Sequence, residues 1–478
     1  MCAVPVAPDY KPTLSILELG DGFYDVVTPA RFPRHVRRYR NQRWARRAGL
    51  DMLDDLEWER HFAAFEALPE NLPERLALRY HGHQFRAYNP QLGDGRGFLH
   101  AQLRDVEDDR LLDLGTKGSG QTPWSRGGDG RLTLKGGVRE VLATEMLEAL
   151  GVYTSKSFSL FETGDALERS DEPSPTRASV LVRLSHSHIR FGSFQRHAAF
   201  RDEARVRRLL AYVTTHLVPE GGPSAEGFLR AVVRRSARLA ASWTVAGFVH
   251  GVLNTDNMNV TGESFDYGPY RFLPTFDPEF VAAYFDHTGL YRFGRQPAIV
   301  AWNLERLAET LALTAPVDAL RAALEPYEAT FHEMVTTQLL ARLGLRPSTA
   351  DEDADLCRAV FEFLKESAVG VDRFFFDWHA GEASAARAMR GPAAAHYATP
   401  AFEVLRKRLA AHAPIAPERL ALPYYGLREP CSLLYDEIET IWAAIDERDD
   451  WGPLDAKLAA IAELRSANPE LVARGRQS

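Results

Sequence analysis

Cysteine is scarce in this 478-residue chain: Cys2, Cys357 and Cys431 are the whole set, and no two form a CxxC pair. That excludes a disulfide framework and a cysteine-based zinc site, and fits a reduced, cytoplasmic setting. Long apolar runs are missing as well. No stretch of about 18 apolar residues occurs, so no membrane span is expected. MCAVPVAPDYKP, at the start, has neither a charged nor an apolar leader segment, so no signal peptide is expected. An excess of basic charge is absent too. Lys and Arg number 57 against 65 Asp and Glu, a net charge of -8, which argues against nucleic acid as the partner. One basic segment stands out, RFPRHVRRYRNQRWARR at 31–47. We expect it to pair with the neighbouring acidic run Asp51–Glu59.

What is present is an ordinary globular composition, 45% hydrophobic and 26% charged, in a chain long enough for two or three domains. Positions 12–80 mix turns with short amphipathic stretches and read as an extension packed on the adjoining β-rich domain. FLHAQLRDV and RLLDLGTKG alternate around the turn-like EDDR, the pattern of a β-hairpin. GGVREVLATEMLEAL at 136–150 has helical spacing and ends at Gly151. SDEPSPTRAS at 170–179 reads as a surface loop, and Ser179–Ser185 as a strand. After Phe191 the pattern turns helical: Phe228–Phe248, 300–345, 352–370 and 432–465. These elements predict an α+β fold of two lobes. An extension (1–75) packs on a β-rich N-lobe (76–190), a mostly helical C-lobe (191–478) comes next, and the site lies between the lobes.

Five constellations carry chemistry. QLGDGRG offers Gly93, Gly95 and the cation Arg96, a composition suited to a phosphate cradle. Lys117 ends the hairpin and precedes a helix bearing Glu140, with Glu145 one turn on. A lysine on a strand paired with a glutamate on the next helix resembles the kinase arrangement, with Lys117 as a phosphate-facing cation outside the core. GGDGR supplies Asp129 and Gly130 in a second glycine turn. Arg183 and Arg190 flank SHSHI, placed to clamp a polyphosphate. The fifth is HGVLNTDNMNV at 250–260, with FDYG after it. Small-molecule kinases carry HGDLHxxN and then D-x-G, in which the asparagine and the second aspartate hold magnesium. His250, Gly251, Asn257 and Asp266 fall at matching positions. The catalytic aspartate of that frame is replaced by Val252, which cannot accept a proton. Asp256 is a new carboxylate in the same loop. His81 with His83, and His186 with His188, have the spacing of paired metal ligands but no evident third ligand. We therefore expect structural or phosphate-facing roles for them.

YHGHQF, QLGDGRG, DLGTKGSGQTPWSRGGDGR, REVLATEML, SHSHIRFGSF, HGVLNTDNM, FDYGP and QPAIVAWNLERLAETL together resemble the selenoprotein O family over about residues 20–310. The resemblance implies a pseudokinase fold that binds ATP in the reverse sense to kinases and transfers AMP to Ser, Thr and Tyr hydroxyls of proteins. It implies nucleotide contacts from Gly93, Gly95, Arg96, Lys117, Asp129, Gly130, Arg183, Arg190 and Asp266. Lys117 would pair with Glu140, Asp256 would be the catalytic base, and Asn257 and Asp266 would hold Mg2+, or Mn2+ in its place. UMP transfer from UTP with manganese, γ-phosphate transfer to a small molecule, and nucleotide binding without catalysis are the rival activities. From about residue 380 the chain departs from the family pattern: LPYYGLREPCSLLYDEIETIW stands in place of an asparagine-rich stretch. The last residues, ELVARGRQS, have no cysteine where many members carry a redox cysteine or selenocysteine.

Overall fold

The computed structural model describes residues 4–170 and 172–475; Cys2 and the last three residues lie outside that range. One antiparallel sheet of eight strands organises the N-terminal part. Its members are β1 (Tyr24–Val27), β2 (Val36–Arg40), β3 (Arg75–Leu78), β6 (Leu99–Arg104), β7 (Leu111–Lys117), β8 (Leu132–Thr133), β9 (Lys156–Leu167) and β10 (Thr176–Ser185). A separate hairpin is made by β4 (Gly82–Gln84) and β5 (Ala87–Asn89). The strands run β1-β3-β6-β7-β10-β9-β2, with β8 beside β10. The expected hairpin is β6–β7. The loop expected at 170–179 is shorter than read, because the β9–β10 ladder continues to Thr176, opposite Leu167, and Arg177 bridges Glu162.

Residues 12–80 do more than pack on the sheet. β1 pairs with β3, and β2 pairs with β9, so this segment builds both edges. Helices α1 (Gln42–Arg47) and α2 (Asp55–Phe62) cover one face, where Trp44, Trp58, Phe62 and Phe158 meet Val180, Val182 and Leu184. Alternation along the strands then fixes the other face. Leu111 and Leu181 point there, and so do Lys117 and Arg183, which share their parity.

Helix α3 (Leu134–Ala149) lies on that second face. Thr133 caps it by accepting the Gly136 N–H at 3.1 Å. A Cβ on Gly137 would sit 2.5 Å from Leu160, so glycine lets the helix settle close to the sheet. Gly151, at φ 72°, stands just past the helix end as read from the sequence.

The second part is helical. α4 (Phe191–Ala199), α5 (Glu203–His216), α6 (Ala225–Ala246), α7 (Gln296–Leu311), α8 (Val317–Leu324) and α9 (Tyr327–Leu343) build its centre, with α6 packed on α7, α8 and α9. α10 (Ala350–Ser367), α11 (Val371–Asp377) and further helices extend to residue 474. The helical stretch read at 432–465 holds two helices, Tyr435–Arg448 and Gly452–Ala467, parted at Asp449, whose φ is 48°. A β-rich lobe joined to a helical lobe is the two-lobed, kinase-like α+β architecture expected. Among the described residues no helix is long and apolar enough to cross a membrane.

The basic segment is neutralised more widely than expected. Arg37 and Arg40 do meet Asp55, but Arg38 bridges Glu162 and Asp449, Arg43 bridges Glu148, and Arg47 binds Asp105 and Asp108. Those carboxylates lie far along the chain and close in the fold.

Candidate active site

A cleft of about 630 Å³ lies between the lobes. Gly93, Gly95, Arg96, Lys117, Asp129, Gly130, Arg183, Arg190, Asp256, Asn257 and Asp266 all line it, and so does Val252. Glu140 alone of the candidates stands behind the wall, buried on α3 and salt-bridged to Lys117.

The C-lobe residues hang from one loop. β11 (Phe248–Val249) pairs with β12 (Arg271–Phe272), and the chain between them carries Val252, Asp256, Asn257 and Asp266. Asp256 and Asn257 sit in a tight helical turn, Thr255–Asn257. Asp266 has φ 67°, a conformation a non-glycine residue adopts at a cost and that recurs at functional sites.

Two carboxylates in this cleft differ sharply. Asp266 accepts from Lys117 at 2.6 Å and from Arg183 at 3.3 Å. Burial would raise its pKa, but Lys117, Arg183 and Arg96 hold it well below the carboxylate range. Asp256 is 7% exposed, and its Oδ1 has no hydrogen-bond partner. Burial pushes it up to about 6, against the pull of Arg190. One carboxylate is thus a fixed anion and the other a stronger base, the division acid–base sites use.

Lys117 is not the exposed cation the sequence suggested. It is buried, and bridges Glu140 and Asp266 across the lobes. Glu145, the other glutamate considered, faces elsewhere: it accepts from Tyr39 at 2.9 Å and Asn41 at 3.0 Å and binds Arg465. Arg190 bonds Asp94 at 3.1 Å and the Asp256 carbonyl at 3.2 Å, and stacks 4.3 Å from the Tyr80 ring.

The glycines of QLGDGRG have a role beyond the one read from composition. A Cβ on Gly93 would run into the Trp124 ring, one on Gly95 would sit 2.7 Å from the Trp124 carbonyl, and one on Gly97 would strike Thr116. The loop is thin so that Trp124 can lie on it, tied by its indole N–H to Asp25 at 2.9 Å. Asp129, expected at the nucleotide, is held by Arg169 at 2.8 Å on the rim.

The histidines read as structural or phosphate-facing hold structural positions. His83 hydrogen-bonds Gln195 at 2.8 Å, and its backbone N–H donates to the Thr255 hydroxyl at 2.7 Å. Thr255 donates to Gln195 at 2.7 Å, and the Phe85 N–H reaches Asn254 at 3.1 Å. The β4–β5 hairpin therefore braces the loop carrying Asp256. Gly82 belongs to the brace, since a Cβ there would sit 2.9 Å from Asp256. His81 bonds Tyr88 at 2.6 Å, and His186 bonds Tyr153 at 3.0 Å.

Comparison with known proteins shows the family. A family model described as Protein adenylyltransferase SelO matches residues 6–462. The protein nucleotidyltransferase YdiU of Gloeobacter violaceus is 46% identical over 461 residues, 93% of each chain. Its namesake in Synechocystis is 44% identical over 486 residues, covering 96% of this chain and 98% of its own. That of Trichodesmium erythraeum is 42% identical over 462 residues, 93% and 96% of the two chains. The chain belongs to the SelO family. Membership makes it a nucleotidyltransferase.

For a SelO-family member, the cleft includes residues the motifs did not single out for the site: Asp94, Trp124, Arg126, Arg131, Arg169 and Asn254. Arg126 and Arg131 flank the second glycine turn and were readable as cations beside it. Asp94 and Trp124 carried no such signal. A divalent cation suits the oxygen donors present. The Asn257 amide N–H donates to the Val252 carbonyl at 2.9 Å, which leaves Oδ1 free to serve as a ligand, and Asp266 is held ionised by its cationic neighbours. Among the described residues no three His, Cys, Asp or Glu side chains form a metal cage. Magnesium is commonly held by one or two protein oxygens plus substrate phosphates, so this sparse donor set fits it.

Proposed function

We propose that this protein transfers AMP from ATP to serine, threonine or tyrosine hydroxyls of other proteins, with magnesium or manganese on Asn257 and Asp266. One observation carries the reading. Where the kinase frame keeps its base there is Val252, and the unpartnered carboxylate in the cleft is Asp256. The names of the relatives, protein nucleotidyltransferases, favour a protein acceptor.

In this mechanism Asp256 takes the proton of the acceptor hydroxyl. The hydroxyl oxygen bonds to the α-phosphorus, and the bond from that phosphorus to the bridging oxygen breaks. Pyrophosphate leaves with the electron pair. The cation would neutralise phosphate charge as it builds. Arg190 orients the loop through the Asp256 carbonyl. Lys117 and Arg183 neutralise Asp266 in this structure, and would be available to hold phosphates if that carboxylate held the cation.

The test offers α-labelled ATP, α-labelled UTP and γ-labelled ATP in parallel, each with magnesium or manganese, and tracks label into protein. We expect α-label from ATP to be incorporated. Label from UTP alone would assign UMP transfer, γ-label alone would assign a kinase, and nucleotide binding without transfer would assign a regulator.

A further inference from the structure

A second cavity, of about 500 Å³, opens in the C-lobe and shares no lining residue with the cleft. Its wall comes from α11, from the turn around 387–392 and from Leu427–Arg428. Four arginines line it, Arg373, Arg387, Arg390 and Arg428, against one carboxylate, Asp377.

The counter-charges are already used. Asp377 accepts from Arg373 at 3.1 Å and from the Tyr397 hydroxyl at 2.9 Å, and Glu429 is also on Arg373. Arg387 lies against the rings of Phe376 and Tyr425, at 4.7 and 5.6 Å. It donates Nη2 to the Asp377 carbonyl at 3.0 Å, while its Nε and Nη1 are buried without a partner. Arg390 spends its Nε on the Ala386 carbonyl at 2.8 Å. Arg390 and Arg428 are exposed, and among the described residues neither meets a carboxylate. Guanidinium groups stay charged in such surroundings. The cavity is therefore a concentration of positive charge in a protein of net charge -8.

Gathering four cations around one hollow is unfavourable unless an anion compensates them. Arg390 and Arg428, exposed and holding no carboxylate among the described residues, leave guanidinium donors for an anion with many acceptor oxygens, and phosphate is the group arginine binds bidentately. The volume falls in the range of small-molecule pockets and exceeds what one inorganic ion fills. Phe376, Pro392 and Leu427 give an apolar wall for the remainder.

We propose that this cavity is a second binding site, for a small phosphate-bearing molecule, separate from the catalytic cleft. Phosphate chemistry has two sources here, a free inorganic phosphate or pyrophosphate and a nucleotide. Hydrogen exchange resolved by segment distinguishes the site from the cleft, because a bound ligand slows exchange where it sits. The probes are ADP, pyrophosphate and inorganic phosphate, offered to the full-length protein and to the Arg390→Ala/Arg428→Ala variant. Neither arginine holds a carboxylate, so the variant should melt with the wild type. We expect at least one probe to slow exchange in 371–392 and 422–430 of the wild type. The variant should lose about tenfold in affinity there and keep its protection in the cleft. Protection by ADP alone assigns a nucleotide site, and protection by pyrophosphate or phosphate assigns an inorganic anion. No protection of these segments by any probe, or equal protection in the variant, overturns the proposal.

Discussion

Asp256 keeps a carboxylate where burial penalises charge, and its Oδ1 has no donor to offset that penalty. A group that costs stability in the ligand-free protein is retained for what it does with ligand. We therefore expect Asp256→Asn to lower transfer by about a hundredfold or more, leave ATP affinity within a few-fold, and raise the ligand-free Tm. Label transfer, calorimetry and thermal melts check the three parts. A fall in Tm would mean that the carboxylate is structural. Lys117 presents the opposite case. It is buried between Glu140 and Asp266, and Glu140 Oε2 already has no partner. Removing one member of a buried ion pair costs about 3–5 kcal/mol, because the other charge remains. Lys117→Met should thus destabilise the protein as well as inactivate it. Adding Glu140→Gln removes the stranded charge, so the double variant should regain most of the Tm and none of the activity. A double variant no more stable than Lys117→Met would mean that Glu140 is not the partner that matters.

Elements with local signals were legible. The β6–β7 hairpin, α3 before its closing Gly151 and the 250–268 loop all lie where spacing, caps and turns put them, because their determinants are near neighbours in sequence. The edges of the sheet were not legible. β2 is five residues long and its partners are 119 to 126 positions away, as Arg40 opposite Ser159 and Val36 opposite Glu162 show, so neither strand reveals the other. The brace made by β4 and β5 was hidden for the same reason: His83 and Phe85 act on Thr255 and Asn254, far down the chain. The glycine loop was located correctly, but its reason needed Trp124. That reason is testable as a coupling. Gly93→Ala forces the Trp124 ring aside and should cost about 1–3 kcal/mol together with nucleotide affinity. In Trp124→Ala the obstruction is gone, so adding Gly93→Ala should cost far less. A double-mutant cycle on Tm and ATP affinity measures this. Additive losses would return the glycines to direct ligand approach.

At the scale of the molecule, the cleft is assembled from both lobes, and neither lobe's sequence alone shows the whole of it. Seven cations and four carboxylates line it in a chain of net charge -8, a local excess of positive charge that would attract polyphosphate. Lys117 and Arg183 come from the sheet and Arg96 from the loop before β6; Asp256, Asn257 and Asp266 come from the helical lobe. In our reading the direction in which ATP lies is set by that whole distribution, and no single side chain decides it. Restoring the kinase base should therefore fail to restore a kinase. With Val252→Asp a carboxylate returns to the loop, yet in our reading the γ-phosphate still points away from the acceptor, and positioning dominates phosphoryl transfer. We expect Val252→Asp to remain inactive with γ-labelled ATP while transferring α-label at a rate within about tenfold of the wild type. Parallel α- and γ-label assays on wild type, Val252→Asp and Asp256→Asn decide it. Efficient γ-transfer by Val252→Asp would mean that ATP already lies as it does in a kinase, and that the cleft differs from one only at position 252.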